Sequence, residues 1–317
     1  MYYIGIDLGG TNIVCGIVDV NGKLLAKKSC KTRAERPANE IVSDMVQLSE
    51  SVIFECGLKK EKIAFCGIGT PGIANAEKGI LEYSCNLPSF QNFDLVSEMR
   101  ALTGFSRISI DNDANCAAKG EAEAGAAKNS KNSVLITLGT GVGGGIILDG
   151  KVYHGMNFAG GELGHMVIQA GGVPCSCGRQ GCWETYSSAT ALCRMTREEM
   201  LQNPKSIMWS LCENDIAKVS GRTAFDARRK GDESAKAVLD RFTYYFAVGI
   251  TNVINIFQPE IVSVGGGISA EGEELLAPVR AIVEREEYSR NCKKKTVLKK
   301  AELGNDAGII GAALLWR

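Results

Sequence analysis

Apolar and polar positions along this chain switch between two periods. Tyr2 to Ile6 is an apolar run ending on Asp7, Ile13 to Val18 is a second β-rich run, and Gly9-Gly10-Thr11 lies between them. Short apolar runs joined through glycine read as two strands and a tight turn. The pattern returns at Val134 to Leu138, Gly139-Thr140-Gly141, Gly143 to Gly145 and Ile146 to Leu148, and both copies close on Gly-Lys, at Gly22-Lys23 and Gly150-Lys151. Such self-similarity indicates internal duplication. Lys62 to Ile68, Arg107 to Ile110 and Glu260 to Val264 read as further strands, the last ending in Gly265-Gly266-Gly267. Helical spacing runs through Ala38 to Glu55, with Ile41, Val42, Met45, Val46, Val52 and Ile53 apolar and a stop at Gly57. Helices are also predicted over about Phe93 to Leu102, Ala114 to Ala127, Thr190 to Leu201, Ser206 to Val219, Glu233 to Phe257 and Gly308 to Leu315.

A chain of 317 residues with 45% apolar content is long enough for two domains, or for one large domain with a cleft. Lysine plus arginine and aspartate plus glutamate balance at 36 each, so no basic field draws nucleic acid or an anionic membrane over long range. No apolar run approaches the ~20 residues of a membrane span, and the chain starts a strand at once, so a cytoplasmic protein is expected. Twelve cysteines are too scattered for a secreted disulfide scaffold, and most, such as Cys15, Cys66, Cys116 and Cys193, are expected to be buried reduced thiols.

Only Cys175, Cys177 and Cys182 cluster, with His165 shortly before them. Three thiolates and one imidazole fill a tetrahedral zinc site and leave no position for water, so the metal is expected to be structural. An imidazole bound through one ring nitrogen keeps the other for a substrate hydroxyl. Glu162 and Glu184 flank the cluster, and carboxylates accept paired hydrogen bonds from vicinal hydroxyls, so a sugar site is expected there. Each acid taken alone is more often a surface residue, and it is the two acids together with the zinc geometry that favour a sugar site. The glycine turns return straight into a strand, unlike a dinucleotide fingerprint, and a plain hairpin is an alternative for either one. As a pair they suggest backbone N–H groups that grip a polyphosphate, with Asp7 holding magnesium through water. Gly265-Gly266-Gly267 reads either as a bed for a flat nucleoside or as a tight connection. Asp113, at a strand-to-helix junction, reads either as a helix cap or as a general base. The lysines 293–295, 299 and 300 lie beside acids and read as solvated surface.

The motifs Asp7-Leu8-Gly9-Gly10-Thr11-Asn12, Asn112-Asp113-Ala114-Asn115, Leu138 to Gly145, Glu162-Leu163-Gly164-His165, the CxCGxxGCxE run from Cys175 to Glu184, and Gly265 to Gly267 carry a resemblance that runs end to end. The chain resembles the ROK family of sugar kinases, repressors and open reading frames, and within it the bacterial glucokinases. The cysteine run is the specific part, since the glycine motifs are shared across the superfamily. The resemblance implies an α/β fold of the actin and hexokinase-like ATPase (ribonuclease H-like) type, with two domains and an interdomain cleft. The small domain is expected at residues 1–111, with a C-terminal helix at about 304–317 packing back on it, and the large one at 112–303 with the zinc loop. It implies Asp113 as catalytic base. Gly72, Asn86, Asn112, Glu162, His165 and Glu184 would hold the sugar with Asp113. Asp7, Gly9, Gly10, Thr11, Asn12, Gly139, Thr140, Gly141 and Gly265 to Gly267 would serve ATP and magnesium. His165, Cys175, Cys177 and Cys182 would bind zinc. Asn12 stands where many members carry lysine, which removes a side-chain charge and leaves backbone contacts intact. Members commonly form homodimers.

The implied reaction is ATP-dependent phosphorylation of the 6-hydroxyl of glucose. A kinase for N-acetylmannosamine, N-acetylglucosamine or fructose is the near alternative. A sugar-sensing regulator is a weaker one, because its helix-turn-helix module has no room before Asp7. A chaperone-like or filament-forming ATPase has no use for zinc-positioned acids.

Overall fold

The computed structural model describes residues 1–317. The chain divides into two compact units, one formed by Met1–Leu135, Gly145–Gly161 and Ala301–Arg317, the other by Ile136–Gly144 and Glu162–Lys300.

The first unit opens with an antiparallel meander of β1 (Tyr2–Leu8), β2 (Asn12–Asp19) and β3 (Leu24–Lys31). Helix α1 (Ala38–Glu55) follows, and β4 (Ile63–Thr70) then pairs parallel to β1. A small sheet of β5 (Ile73–Asn75), β6 (Ile80–Tyr83) and β7 (Phe93–Asp94) precedes α2 (Leu95–Thr103). Strand β8 (Ile108–Asn112) lies parallel to β4 and runs directly into α3 (Asp113–Ala124). The main sheet has the order β3-β2-β1-β4-β8. Central β1 is buried on both faces, whereas edge strand β3 alternates half-buried and exposed residues, as a strand covered on one face must.

Strands β9 (Ser133–Leu138), β10 (Val142–Leu148) and β11 (Lys151–Val152) form the second hairpin system. The helices α4 (Glu184–Ser187), α5 (Ala189–Gln202), α6 (Ile207–Leu211), α7 (Thr223–Arg229) and α8 (Glu233–Phe257) come next. Strand β12 (Ile261–Gly265), α9 (Glu273–Glu286), β13 (Val297–Lys300) and α10 (Ala307–Ala313) complete the chain. The second five-stranded sheet has the order β11-β10-β9-β12-β13.

Glycine decides how α10 sits. A Cβ on Gly5 would overlap the Ile309 carbonyl, one on Gly67 the Ala312 carbonyl, and one on Gly311 the Cys116 carbonyl. Helix α10 therefore lies with its backbone almost against β1, β4 and α3, and Ile310, Ala313 and Leu314 close a buried cluster with Tyr3, Val18 and Phe65.

Several boundaries differ from the sequence reading. The helix expected over 206–219 is only α6, because Glu213 and Asn214 take left-handed backbone at φ 54° and 60°, and a short 3₁₀ turn at Ile216–Lys218 follows. Helix α3 stops at Ala124 rather than Ala127. The buried Glu121 carboxylate takes the N–H groups of Ala126 at 2.7 Å and Leu303 at 2.8 Å, which draws the chain out of the helix. Phe93 belongs to β7, and α2 begins after Asp94, which caps it by accepting from the Ser97 N–H at 3.0 Å. Strands β3 and β13 and helices α7 and α9 lie outside the elements expected from the sequence, although Leu275, Leu276, Val279 and Val283 of α9 stand at helical spacing and are its buried residues.

Candidate active site

In the first unit, the β1–β2 turn is stapled from behind. Gly9 N–H donates to the Asn12 carbonyl at 3.0 Å, Thr32 Oγ1 donates to the Gly9 carbonyl at 2.6 Å, and Thr32 N–H donates to the Thr11 carbonyl at 3.0 Å. Asn86 packs on this turn, since a Cβ on Gly10 would come within 3.1 Å of its Cβ. Asn112 Nδ2 donates to the Gly72 carbonyl at 3.1 Å. Gly72 needs to be glycine, with φ 93° and a position where a Cβ would overlap the Tyr83 carbonyl.

Strand register aligns Asp7 of β1, Gly69 of β4 and Asp111 of β8 side by side. Asp113 follows two residues on, and its Oδ1 accepts from the Ala114 N–H at 2.8 Å. Asn112 is the helix cap, its Oδ1 accepting from Ala114 N–H at 2.9 Å, so Asp113 is the first helical residue. Burial, followed by the charge of Asp113, pushes the Asp7 carboxyl up to about 6. A half-buried acid with a second acid beside it is a setting that a cation relieves, and the oxygen donors suit magnesium.

In the second unit, the β9–β10 turn rests on the start of α5. Ala189 N–H donates to the Gly139 carbonyl at 2.9 Å, and Thr190 Oγ1 donates to the Thr140 carbonyl at 2.8 Å. Gly141 is in contact with Glu184, whose Oε2 lies 2.5 Å from where a Cβ would stand. A cavity of about 490 Å³ is lined by Thr140, Gly141, Glu184, Ser188, Thr190 and Arg194. Gly266, at φ 83°, abuts Leu138 at the end of β9, so the third glycine turn adjoins the second.

The donor atoms of His165, Cys175, Cys177 and Cys182 all lie within 4.8 Å of one another. Cys175 Sγ is 3.6 Å from His165 Nδ1, and Cys177 Sγ is 3.7 Å from Cys182 Sγ. A tetrahedral zinc ion with ordinary bond lengths places sulfur about 3.8 Å from sulfur and about 3.6 Å from nitrogen. The donor set fits zinc. Burial pushes Cys175 up to about 12 and raises Cys182, while a backbone hydrogen bond at Arg179 lowers Cys177. A cation at the centre supplies the charge that makes all three thiolates favourable.

His165 turns Nδ1 to the cluster, leaving Nε2 on the opposite edge of the ring. Glu184 Oε1 stands 3.7 Å from that Nδ1 and 3.1 Å from Cys175 Sγ. Glu162 directly precedes the short 3₁₀ turn Leu163–His165, and its carbonyl accepts from His165 N–H at 3.1 Å. Trp183, fully buried between Cys182 and Glu184, anchors the loop: it stacks on Phe246 at 5.7 Å, donates from Nε1 to the Tyr245 carbonyl at 3.2 Å, and lies against Gly249 of α8.

The structure thus brings Gly10 to Asn86, Gly72 to Asn112, Asp7 to Asp113, and Gly141 and His165 to Glu184. Sequence reasoning missed Trp183 and a pair formed by His154 and Asp111. The second histidine and an acid directly before Asn112 were the available signals for that pair.

This arrangement is that of the actin and hexokinase-like ATPases. A sequence model of the ROK family matches residues 3–317. A glucokinase of Thermotoga maritima is 36% identical over 98% of this chain and 95% of its own length. Another, from Halalkalibacterium halodurans, is 34% identical over 99% of this chain and 94% of its own length. A crystal structure of a ROK family glucokinase from Streptomyces griseus in complex with glucose and AMPPNP superposes with a TM-score of 0.81 at 30% identity, covering 99% of both chains. The chain belongs to the ROK family.

Proposed function

We propose that this protein is an ATP-dependent hexose kinase that phosphorylates the 6-hydroxyl of glucose. The observation that carries this reading is the contact of Gly141 with Glu184. It sets a phosphate-type turn directly against a carboxylate aligned with a zinc-type cluster, within a chain similar over its length to glucokinases.

In the second unit Glu162, His165 and Glu184 offer groups to sugar hydroxyls, and in the first unit Asn112, Asn86 and Gly72 do so. Asp113 accepts the proton of the 6-hydroxyl as its oxygen attacks the γ-phosphorus and the bond to the β-phosphate oxygen breaks, releasing ADP. Gly9 to Asn12 and Gly139 to Gly141 offer N–H groups to the phosphates, and Gly265 to Gly267 receive the adenosine. Asp7 would hold magnesium, which would supply charge neutralisation on the phosphates when bound. Zinc in the His165, Cys175, Cys177 and Cys182 set supplies rigidity, and His165 offers its second nitrogen to the sugar. We place the protein in the cytoplasm as a homodimer. No helix is long and apolar enough to cross a membrane.

ADP release measured over a panel of hexoses and N-acetylhexosamines tests the substrate, with glucose expected to give the highest kcat/KM. An N-acetylhexosamine in first place would transfer the assignment to an amino-sugar kinase. Asp113→Asn should lower kcat by roughly 10² to 10⁴ while glucose still binds. Turnover near that of the unmodified enzyme would remove Asp113 from the role of base.

A further inference from the structure

His154 is one of two histidines and stands outside the zinc cluster. Its Nε2 lies 2.7 Å from Asp111 Oδ2. Asp111 is only 3% exposed, and its other oxygen accepts from the Asn112 N–H at 2.7 Å and from Asn115 Nδ2 at 2.9 Å. Asn112 and Asn115 bracket Asp113 at the start of α3. The buried carboxylate therefore ties both sides of the catalytic turn to one imidazole. A hydrogen-bonded network of this kind is rigid only while every member is satisfied, and removing one partner from a buried acid loosens the rest.

His154 is held at its own end too. Its ring packs on Phe158 with centroids 5.9 Å apart, and its carbonyl accepts from Gly160 N–H at 2.8 Å. It lines a cavity of about 310 Å³ together with Asp111, Lys119, Lys151 and Arg317. Lys119 is paired with Glu123 at 2.7 Å, and Arg317 with Glu123 at 3.1 Å, so His154 is the cavity's basic side chain that bonds to Asp111.

We infer that His154 is a positioning residue that acts through Asp111 to hold the Asn112–Asp113 turn in its reactive orientation. The inference rests on the reading of Asp113 as base, and it extends the site to a residue that touches neither sugar nor nucleotide.

The test uses the full-length enzyme with His154→Phe, which removes the donor, and His154→Gln, which keeps an N–H donor at comparable reach. His154→Phe is expected to lower kcat about tenfold or more and to raise the sugar KM through Asn112, with the ATP KM within about twofold. His154→Gln should recover kcat to within about threefold, which loss of generic packing would not predict. In an Asp113→Asn background, His154→Phe should cost less than about twofold further, because the turn it positions no longer carries a base. Near-normal kcat in His154→Phe overturns the inference. So does a His154→Gln enzyme as slow as His154→Phe with an unchanged unfolding midpoint, or an undiminished loss in the Asp113→Asn background. If His154→Phe does not fold, His154→Asn, with its shorter reach, replaces it under the same criteria. A fully active Asp113→Asn enzyme would instead remove the reading of the base, separately from anything observed at His154.

Discussion

At Asp7, two physical effects act in the same direction. Burial and the neighbouring Asp113 raise its carboxyl from 3.8 to about 6, so the folded protein holds this proton more tightly than the unfolded chain. An acid raised in the folded state weakens stability as pH climbs between about 4 and 6, and the loss is complete above that window, amounting to about 3 kcal/mol. Asp7→Asn should therefore raise the unfolding midpoint at pH 8 and leave it nearly unchanged at pH 4, while activity falls. Thermal melts of both proteins across that range check the sign. A variant destabilised equally at both pH values would show that Asp7 carries no such cost. The sequence made Asp7 and Asp113 legible as strand-end acids, but the alignment of Asp7, Gly69 and Asp111 depends on the order of three strands distant in sequence.

At the scale of elements, the zinc-type loop is built from both ends. Its four donors come from a loop with little regular structure, and the loop's anchor is Trp183, which packs against Phe246 and Gly249 of α8. Cys177→Ser is expected to release the metal, which elemental analysis reads directly, and to raise the sugar KM because His165 and Glu184 lose their support. Freshly purified protein without zinc would contradict the cluster's role. Gly249 tests the other end. A Cβ there would overlap the Trp183 indole, so Gly249→Ala should destabilise by about 1–3 kcal/mol through overpacking and raise the sugar KM more than the ATP KM, because Trp183 adjoins Glu184. The CxCGxxGCxE spacing was visible in the sequence as ligand chemistry. The glycine in the middle of α8 carried no signal, because its purpose is set by a residue of another element.

At the scale of the whole molecule, the first unit is assembled from the beginning, the middle and the end of the chain. Ile309, Ile310 and Leu314 of the last segment are buried, and each such side chain contributes roughly 1.5–3 kcal/mol. Together they match a large part of the ~5–15 kcal/mol that a domain has to spare. A chain ending at Gly304 should therefore fail to fold the first unit, seen as loss of soluble yield and of cooperative melting. A stable, cooperatively melting product would show α10 to be dispensable.

Local chemistry determined what could be read from the sequence alone. The two glycine hairpins, the histidine and cysteine ligand set, the cap-or-base acid at 113 and the long apolar helices all follow from short-range spacing, which fixes backbone turns and donor types. Tertiary structure decided the rest. Glu121 ends α3 by bonding to Ala126 and Leu303, Gly141 touches Glu184, and His154 reaches Asp111, because burial forces polar groups to find partners wherever the fold provides them. Apart from Glu121 with Ala126, these pairings join residues far apart in sequence, and no local pattern encodes them.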